Sequence, residues 1–475
     1  MTDSAREGSA TPLDPVLLPD PGEQPPGETR TLLDDADSGV VQRTVVSGGV
    51  TVLTEAGGAG RAVTVGIAVP VGSRDESPEL AGASHFLEHL LFKGTARRSA
   101  LEISAAIDAV GGDLNAFTGK EYTCFYARVL DRDLDLALDV LVDMMLSSRL
   151  ATADIDSERS VVLAEIAMND DDPAGMAHEL FSAEVFGGTP LADPISGTAV
   201  SITDMSAEGV RSHYRRWYAP GNLAVVAAGR VDHEQVVAGV HRGLAAAAAA
   251  QADSSPAEAA DDASEPPRTR RVVAGDPGLT LPTAAKTVLR DRDIEQANIV
   301  LGFPALARTD PRRYALGVFN AVVGGGMSSR LFQRVREERG LAYSVHSFSS
   351  MYSDAGAFAV YAGTAPEHLT ETLDVTAAVL DEVRARGLTA DELNRGRGQY
   401  RGGLLLSREE SSARMVVLAE AELITGRLIP VAQTLTAIEA VTDDEVHEVA
   451  ELICAGPRHV SVVGPDVDAA SVPWT

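Results

Sequence analysis

VTVGIAVPVGSRDESPELAGASHFLEHLLFKG, residues 63–94, opens with a β-branched apolar run, crosses a polar turn and ends in a segment with helical apolar spacing. The same order returns at residues 298–331, NIVLGFPALARTDPRRYALGVFNAVVGGGMSSRL. Farther along each copy, TCFYARVLDRDLDLALDVLVDMM (123–145) is matched by GAFAVYAGTAPEHLTETLDVTAAVLDEV (356–383), an alternating strand followed by an amphipathic helix. NLAVVAAGRVD (222–232) and HVSVVGPDVD (459–468) close the two sections alike. Such repetition identifies two copies of one unit. The fold class is therefore α+β, with two homologous halves, each a mainly antiparallel sheet with helices packed on it, facing one another as a clamshell.

Composition shifts set the expected boundaries. Residues 1–39 are rich in Pro, Gly, Asp and Glu and read as a disordered acidic tail, because they offer too little apolar surface to offset the entropy of ordering. The first unit then spans 40–245, a linker spans 246–283 and takes in nearly all of the low-complexity stretch AAAAAAQADSSPAEAADDASEPP (245–267), and the second unit spans 284–475.

With 40 Lys and Arg against 69 Asp and Glu, the chain carries a formal charge of −29, which argues against nucleic acid or an anionic membrane surface as partner. Two cysteines, Cys124 and Cys454, cannot build a disulfide framework. The first residues lack a basic and then apolar leader, and no apolar run is long enough to span a bilayer, so a cytoplasmic location is expected.

Chemistry concentrates in ASHFLEHLLFKGT, residues 83–95. Phe86, Leu87, Leu90 and Leu91 favour a helix, on which His85 and His89 stand at i and i+4 and project from one face. Two imidazoles so placed can ligate one zinc ion, while Glu88 flanks the same face and can take a proton from water. A lone histidine pair is more often two satisfied core residues; the H-x-x-E-H order is what points to a metallopeptidase. A third ligand is sought on another element, and DIDSERSVVLAEIAMNDDDP (154–173) reads as a helix capped by Asp156 or Ser157. Its Glu158 and Glu165 are two turns apart on one face, so that one can ligate while the other supports a histidine. The second copy reads ALGVFNAVVGG at the corresponding helix, without histidine or acid, so one metal site per chain is expected, in the first half.

HFLEHLLFKGT together with the two glutamates of SERSVVLAEIAMNDDDP resembles the pitrilysin/insulinase family, the inverzincins, and within it bacterial members similar to the mitochondrial processing peptidase β subunit. The resemblance covers residues 40–475. It implies a zinc-dependent endopeptidase that takes extended peptides or unfolded segments between its two lobes, with one Zn2+ per chain on His85, His89 and Glu165, Glu158 as the supporting carboxylate, and Glu88 as general base. It implies that Asn115, Ala116 and Phe117, in AVGGDLNAFTGKEYTCFYARV (109–129), offer a strand edge to the peptide. It also implies that Arg336 and Tyr343, in GGGMSSRLFQRVREERGLAYSV (324–345), reach across the chamber to the substrate carbonyl, and that the chain forms a homodimer. A non-catalytic, processing-peptidase-like scaffold is the alternative, as in relatives that have lost ligands.

Overall fold

The computed structural model describes residues 15–35, 38–58, 60–253, 278–468 and 472. The first half supplies strands β1 (Val16–Leu17), β2 (Thr29–Asp35), β3 (Gly39–Val45), β4 (Thr51–Ala56), β5 (Ala62–Val69), β6 (Asp113–Thr118), β7 (Thr123–Leu130) and β8 (Ala224–Gly229). The second supplies β9 (Lys286–Asp291), β10 (Ala297–Ala305), β11 (Ala342–Met351), β12 (Gly356–Thr364), β13 (Arg427–Leu428) and β14 (His459–Gly464).

A seven-stranded sheet runs β2-β3-β4-β8-β5-β7-β6 and a five-stranded sheet runs β11-β12-β10-β14-β9. Read from β4, the first sheet has the order of the second read from β9. Each has one parallel pair, β4 with β8 and β9 with β14, and is otherwise antiparallel. The duplication read from sequence is thus a duplication of topology, and the first half adds β2 and β3 at one edge.

One face of each sheet packs on its own helices, as the amphipathic patterns require. Val63, Val65 and Ile67 of β5 meet Phe86, Leu87 and Leu90 of helix Ala83–Leu91 and Leu138 and Leu141 of helix Leu134–Ser147. Leu301 and Phe303 of β10 meet Leu316 and Phe319 of helix Arg313–Gly324 and Leu380 of helix Leu369–Arg386.

The opposite faces are covered by exchange. Helix Pro173–Val185, from the first half of the chain, lays Ala177, Phe181 and Val185 on Val300, Ala359 and Val463 of the second sheet. Helix Ser411–Glu420, from the second half, lays Met415, Leu418 and Ala419 on Leu53, Ala68 and Val226 of the first. Equivalent glycines admit them: a Cβ on Gly66 of β5 would lie 2.8 Å from the Met415 sulfur, and one on Gly302 of β10 would lie 2.7 Å from the Phe181 ring. Buried ion pairs, Arg43 with Glu422 (2.9 Å) and Glu55 with Arg414 (3.4 Å), lie across the same junction.

Two boundaries move. The expected tail of residues 1–39 holds two strands among its described residues: β2 pairs with β3, and β1 pairs with β13 of the second half. Leu33, followed by two acids in the sequence, is buried in the junction core with Leu18, and Val16 and Leu32 pack against it, so a few well-placed apolar side chains and ladder hydrogen bonds outweigh the acidic composition. Within the expected linker, helix His233–Asp253 continues past residue 246, and Leu279 and Leu281 pack beside the Pro173–Val185 helix; residues 254–277 lie outside the described residues.

Candidate active site

Helix Ala83–Leu91 begins at Gly82, whose φ of 93° and whose close approach to the Ser196 carbonyl (2.6 Å from a built Cβ) leave room for glycine alone. Its apolar side is sunk in the first core, and this presents His85, Glu88 and His89 on the opposite side. Helix Thr152–Asp170 lies alongside. It starts a turn before the expected cap, after Ala151, whose side chain makes no capping bond, so neither Asp156 nor Ser157 caps it. Pro173 lies beyond its end as expected and opens the next helix.

The two helices bring the predicted ligands together. Among the described residues, His85, His89 and Glu165 form the one group of three whose ligand atoms all lie within 4.8 Å of one another. Glu165 Oε1 is 3.6 Å from His85 Nε2, and Glu165 Oε2 is 3.3 Å from His89 Nε2. Burial holds the His85 imidazole below its ordinary pKa, which favours the neutral form that a metal requires.

Glu158, 5% exposed, places Oε1 3.0 Å from His89 Nδ1, which directs Nε2 of that ring toward Glu165. Its other oxygen is 2.5 Å from Lys93 Nζ. The division of the glutamate pair is therefore geometric: one turns to the histidine pair, the other braces His89 from behind. Two imidazole nitrogens and a carboxylate with a fourth direction open are a donor set that fits a catalytic zinc ion.

Glu88 sits beside this group, and its Oε2 accepts a 2.6 Å hydrogen bond from the Thr118 hydroxyl. Thr118 ends β6, the last strand of its sheet, whose outer edge has no strand partner among the described residues. Asn115, Ala116 and Phe117 lie on that edge; the Asn115 carboxamide oxygen accepts the Ala116 N–H at 2.8 Å, and the Phe117 ring packs 5.4 Å from Tyr122. Thr118 was not singled out from sequence, although it follows the N-A-F step directly. Lys93 is legible in hindsight only through its spacing, i+4 from His89.

A cavity of about 730 Å³ joins these groups, with His85, Glu88 and Phe117 on one wall and Phe348 and Tyr352 of the second half on the other. Both halves thus enclose the site. Arg336 and Tyr343 are not among the lining residues. They stack on each other, with the guanidinium carbon 5.1 Å from the Tyr343 ring centre, and Tyr343 is 79% exposed. Tyr343 stands five residues before Phe348 on β11, about 17 Å along an extended strand. Arg336, on the helical turn Phe332–Glu337, and Tyr343, near the start of β11, therefore do not line the cavity of their own chain in this arrangement.

Similarity to known proteins follows the same division. The family described as Insulinase (Peptidase family M16) matches residues 51–199, and the Peptidase M16 inactive domain matches residues 204–400. The second description agrees with the half that lacks ligands. A protein of Streptomyces coelicolor named an uncharacterized zinc protease is 46% identical over 440 residues, covering 92% of this chain and 92% of its own length. Similarly named proteins of Mycobacterium tuberculosis (43% identical, 94% and 98% covered) and Bacillus subtilis (34%, 90% and 98%) are related over the same extent. Among solved structures, a protease from Helicobacter pylori superposes with a TM-score of 0.78 at 20% identity over 90% of this chain and 99% of that one. The names of the relatives support zinc as the cofactor and a peptidase as the class of protein. No helix of the described residues is long and apolar enough to cross a membrane. With both family descriptions matched in order and relatives aligned over nearly their full length, the chain belongs to the insulinase family, peptidase family M16.

Proposed function

We propose that the protein is a zinc-dependent endopeptidase that cleaves extended peptides or unfolded segments held between its two halves. The observation that carries this reading is the convergence of His85, His89 and Glu165 beside Glu88, directly next to the edge of β6 that no strand of the described residues pairs. A peptide added along that edge gains main-chain hydrogen bonds that do not depend on its sequence. Bound zinc, held by His85, His89 and Glu165 with one ion per chain, would supply Lewis-acid polarisation of the scissile carbonyl and a more acidic water. Glu88 then takes the proton of the attacking water and hands it to the leaving amine, while Thr118 keeps its carboxylate turned toward the cleft.

Metal analysis joined to a peptide-library digest, with and without chelator, tests this directly. Zinc near one per chain and chelator-sensitive internal cleavage are expected. Glu88→Gln should keep its zinc and lose cleavage, and His85→Ala should lose both. Full zinc occupancy in the wild type without cleavage of any peptide would instead favour a non-catalytic scaffold.

We further propose a homodimer. The Arg336–Tyr343 pair supports it, since a pair set away from its own cavity, with Tyr343 largely exposed, is available to a second copy. Light scattering reads the mass, and mixing Glu88→Gln with Arg336→Ala should restore cleavage. A monomeric mass with no restoration refutes this part.

A further inference from the structure

The helix that carries His85, Glu88 and His89 has no side-chain cap of its own, because its first flanking residue is Gly82. Two backbone donors at its start nevertheless have a side-chain partner. Glu76, on the segment before the helix, accepts the Gly82 N–H at Oε2 (2.6 Å) and the Ser84 N–H at Oε1 (2.7 Å). A carboxylate is also the group that the positive end of a helix favours. Ser84 immediately precedes His85 and is itself fixed from behind: its hydroxyl lies 3.2 Å from Nε2 of the buried His213.

Glu76 is anchored rather than free to follow the helix. The Ser73 and Arg74 N–H groups donate to the carbonyls of Gly119 and Lys120, in the turn that follows Thr118. The Arg74 guanidinium pairs with Glu121 of the same turn (2.8 Å) and with Asp354 of the second half (2.9 Å). One short segment therefore ties the start of the metal-site helix to the end of the β6 edge and to the opposite lobe.

From this geometry we infer that Glu76 is a positioning residue of the metal centre: its carboxylate sets the rotation and axial placement of helix Ala83–Leu91, and so the approach of His85 and Glu88 to Glu165 and Thr118. The inference rests on the reading of the site as a zinc-dependent peptidase. Burial pushes the Glu76 carboxyl up to about 7, so the pocket is not a cheap place for a solvated charge. The two N–H bonds are what the group does there.

The test compares Glu76→Ala and Glu76→Gln with Thr442→Ala, which removes the hydroxyl that caps helix Asp443–Cys454 in the other half. Zinc affinity is measured against a competing chelator, and the visible spectrum of the cobalt-substituted protein reports ligand geometry. Supporting groups around a metal typically change affinity by 10–100-fold when removed. Glu76→Ala is expected to weaken zinc binding by about tenfold, to shift the cobalt bands, and to lower kcat about tenfold with KM within about twofold. Thr442→Ala should lower the unfolding temperature and change none of these. If the alanine variant does not fold, Glu76→Gln, which keeps the shape but offers one acceptor, decides. Wild-type zinc affinity and cobalt spectrum in a folded Glu76 variant would overturn the inference whatever the peptidase activity. A wild type that binds zinc but cleaves nothing sinks the peptidase reading and leaves the metal measurements to decide Glu76; a wild type that binds no metal refutes both.

Discussion

Replacing Thr118 by valine removes one hydroxyl and nearly nothing else. Valine has the same branched shape and an equal or better preference for a strand, so the pairing of Thr118 with Thr123 at the end of β6 should persist. What disappears is the 2.6 Å hydrogen bond to Glu88. Hydrogen bonds to charged groups contribute about 1.5–3 kcal/mol, and because both side chains here are only partly buried, water can replace part of the loss; about 1.5 kcal/mol is the appropriate end of the range. In a transition state that needs Glu88 aimed at the attacking water, that becomes roughly a tenfold fall in kcat. KM should stay within about twofold, since in the proposed binding mode the β6 main chain, not this hydroxyl, holds the peptide. Steady-state kinetics on a peptide from the library digest, with zinc content measured in the same sample, supply both numbers, and Thr118→Ser should recover most of the rate. A Thr118→Val enzyme with full zinc and a kcat within twofold of wild type would show that something else orients Glu88.

Two further substitutions probe the support of the site. Glu158→Gln takes away the charged partner of His89 and Lys93 and should weaken zinc binding by about 10–100-fold without unfolding the protein; an unchanged dissociation constant would contradict the bracing role. His213 is buried, and burial, followed by the nearby Arg216 charge, lowers its pKa to about 4 from 6.5. The unfolded chain therefore binds a proton below pH 6.5 that the folded chain refuses until about pH 4. The stability this group contributes is full above pH 6.5 and is lost as pH falls through 4, by about 2 kcal/mol between pH 7 and 4.5. Glu76, raised by burial to about 7, works in the opposite direction, so the comparison must be between wild type and His213→Gln. Denaturant titrations at the two pH values should show a shallower acid loss in the variant, and parallel losses would refute the assignment.

Much of the site was legible because its parts are periodic. Three and four residues along a helix return to the same face, so H-x-x-E-H alone places His85, Glu88 and His89 together, and seven residues return Glu158 and Glu165 to one side. Repeated patterns of strand and helix likewise disclosed the two halves and the missing ligands of the second. Patterning of this kind reports that an element has an apolar face, but not what will cover it. Only the tertiary structure decided that helix Pro173–Val185 and helix Ser411–Glu420 are exchanged between the sheets, although Gly66 and Gly302, small residues inside otherwise apolar strands, marked where they would lie. It decided equally that Glu165 meets the histidines, that Thr118 and Glu76 hold the metal-site helix, and that Arg336 and Tyr343 stand outside the cavity of their own chain. These contacts join residues far apart in the chain, where no local spacing relates one to the other and only the packing of whole faces sets the distance.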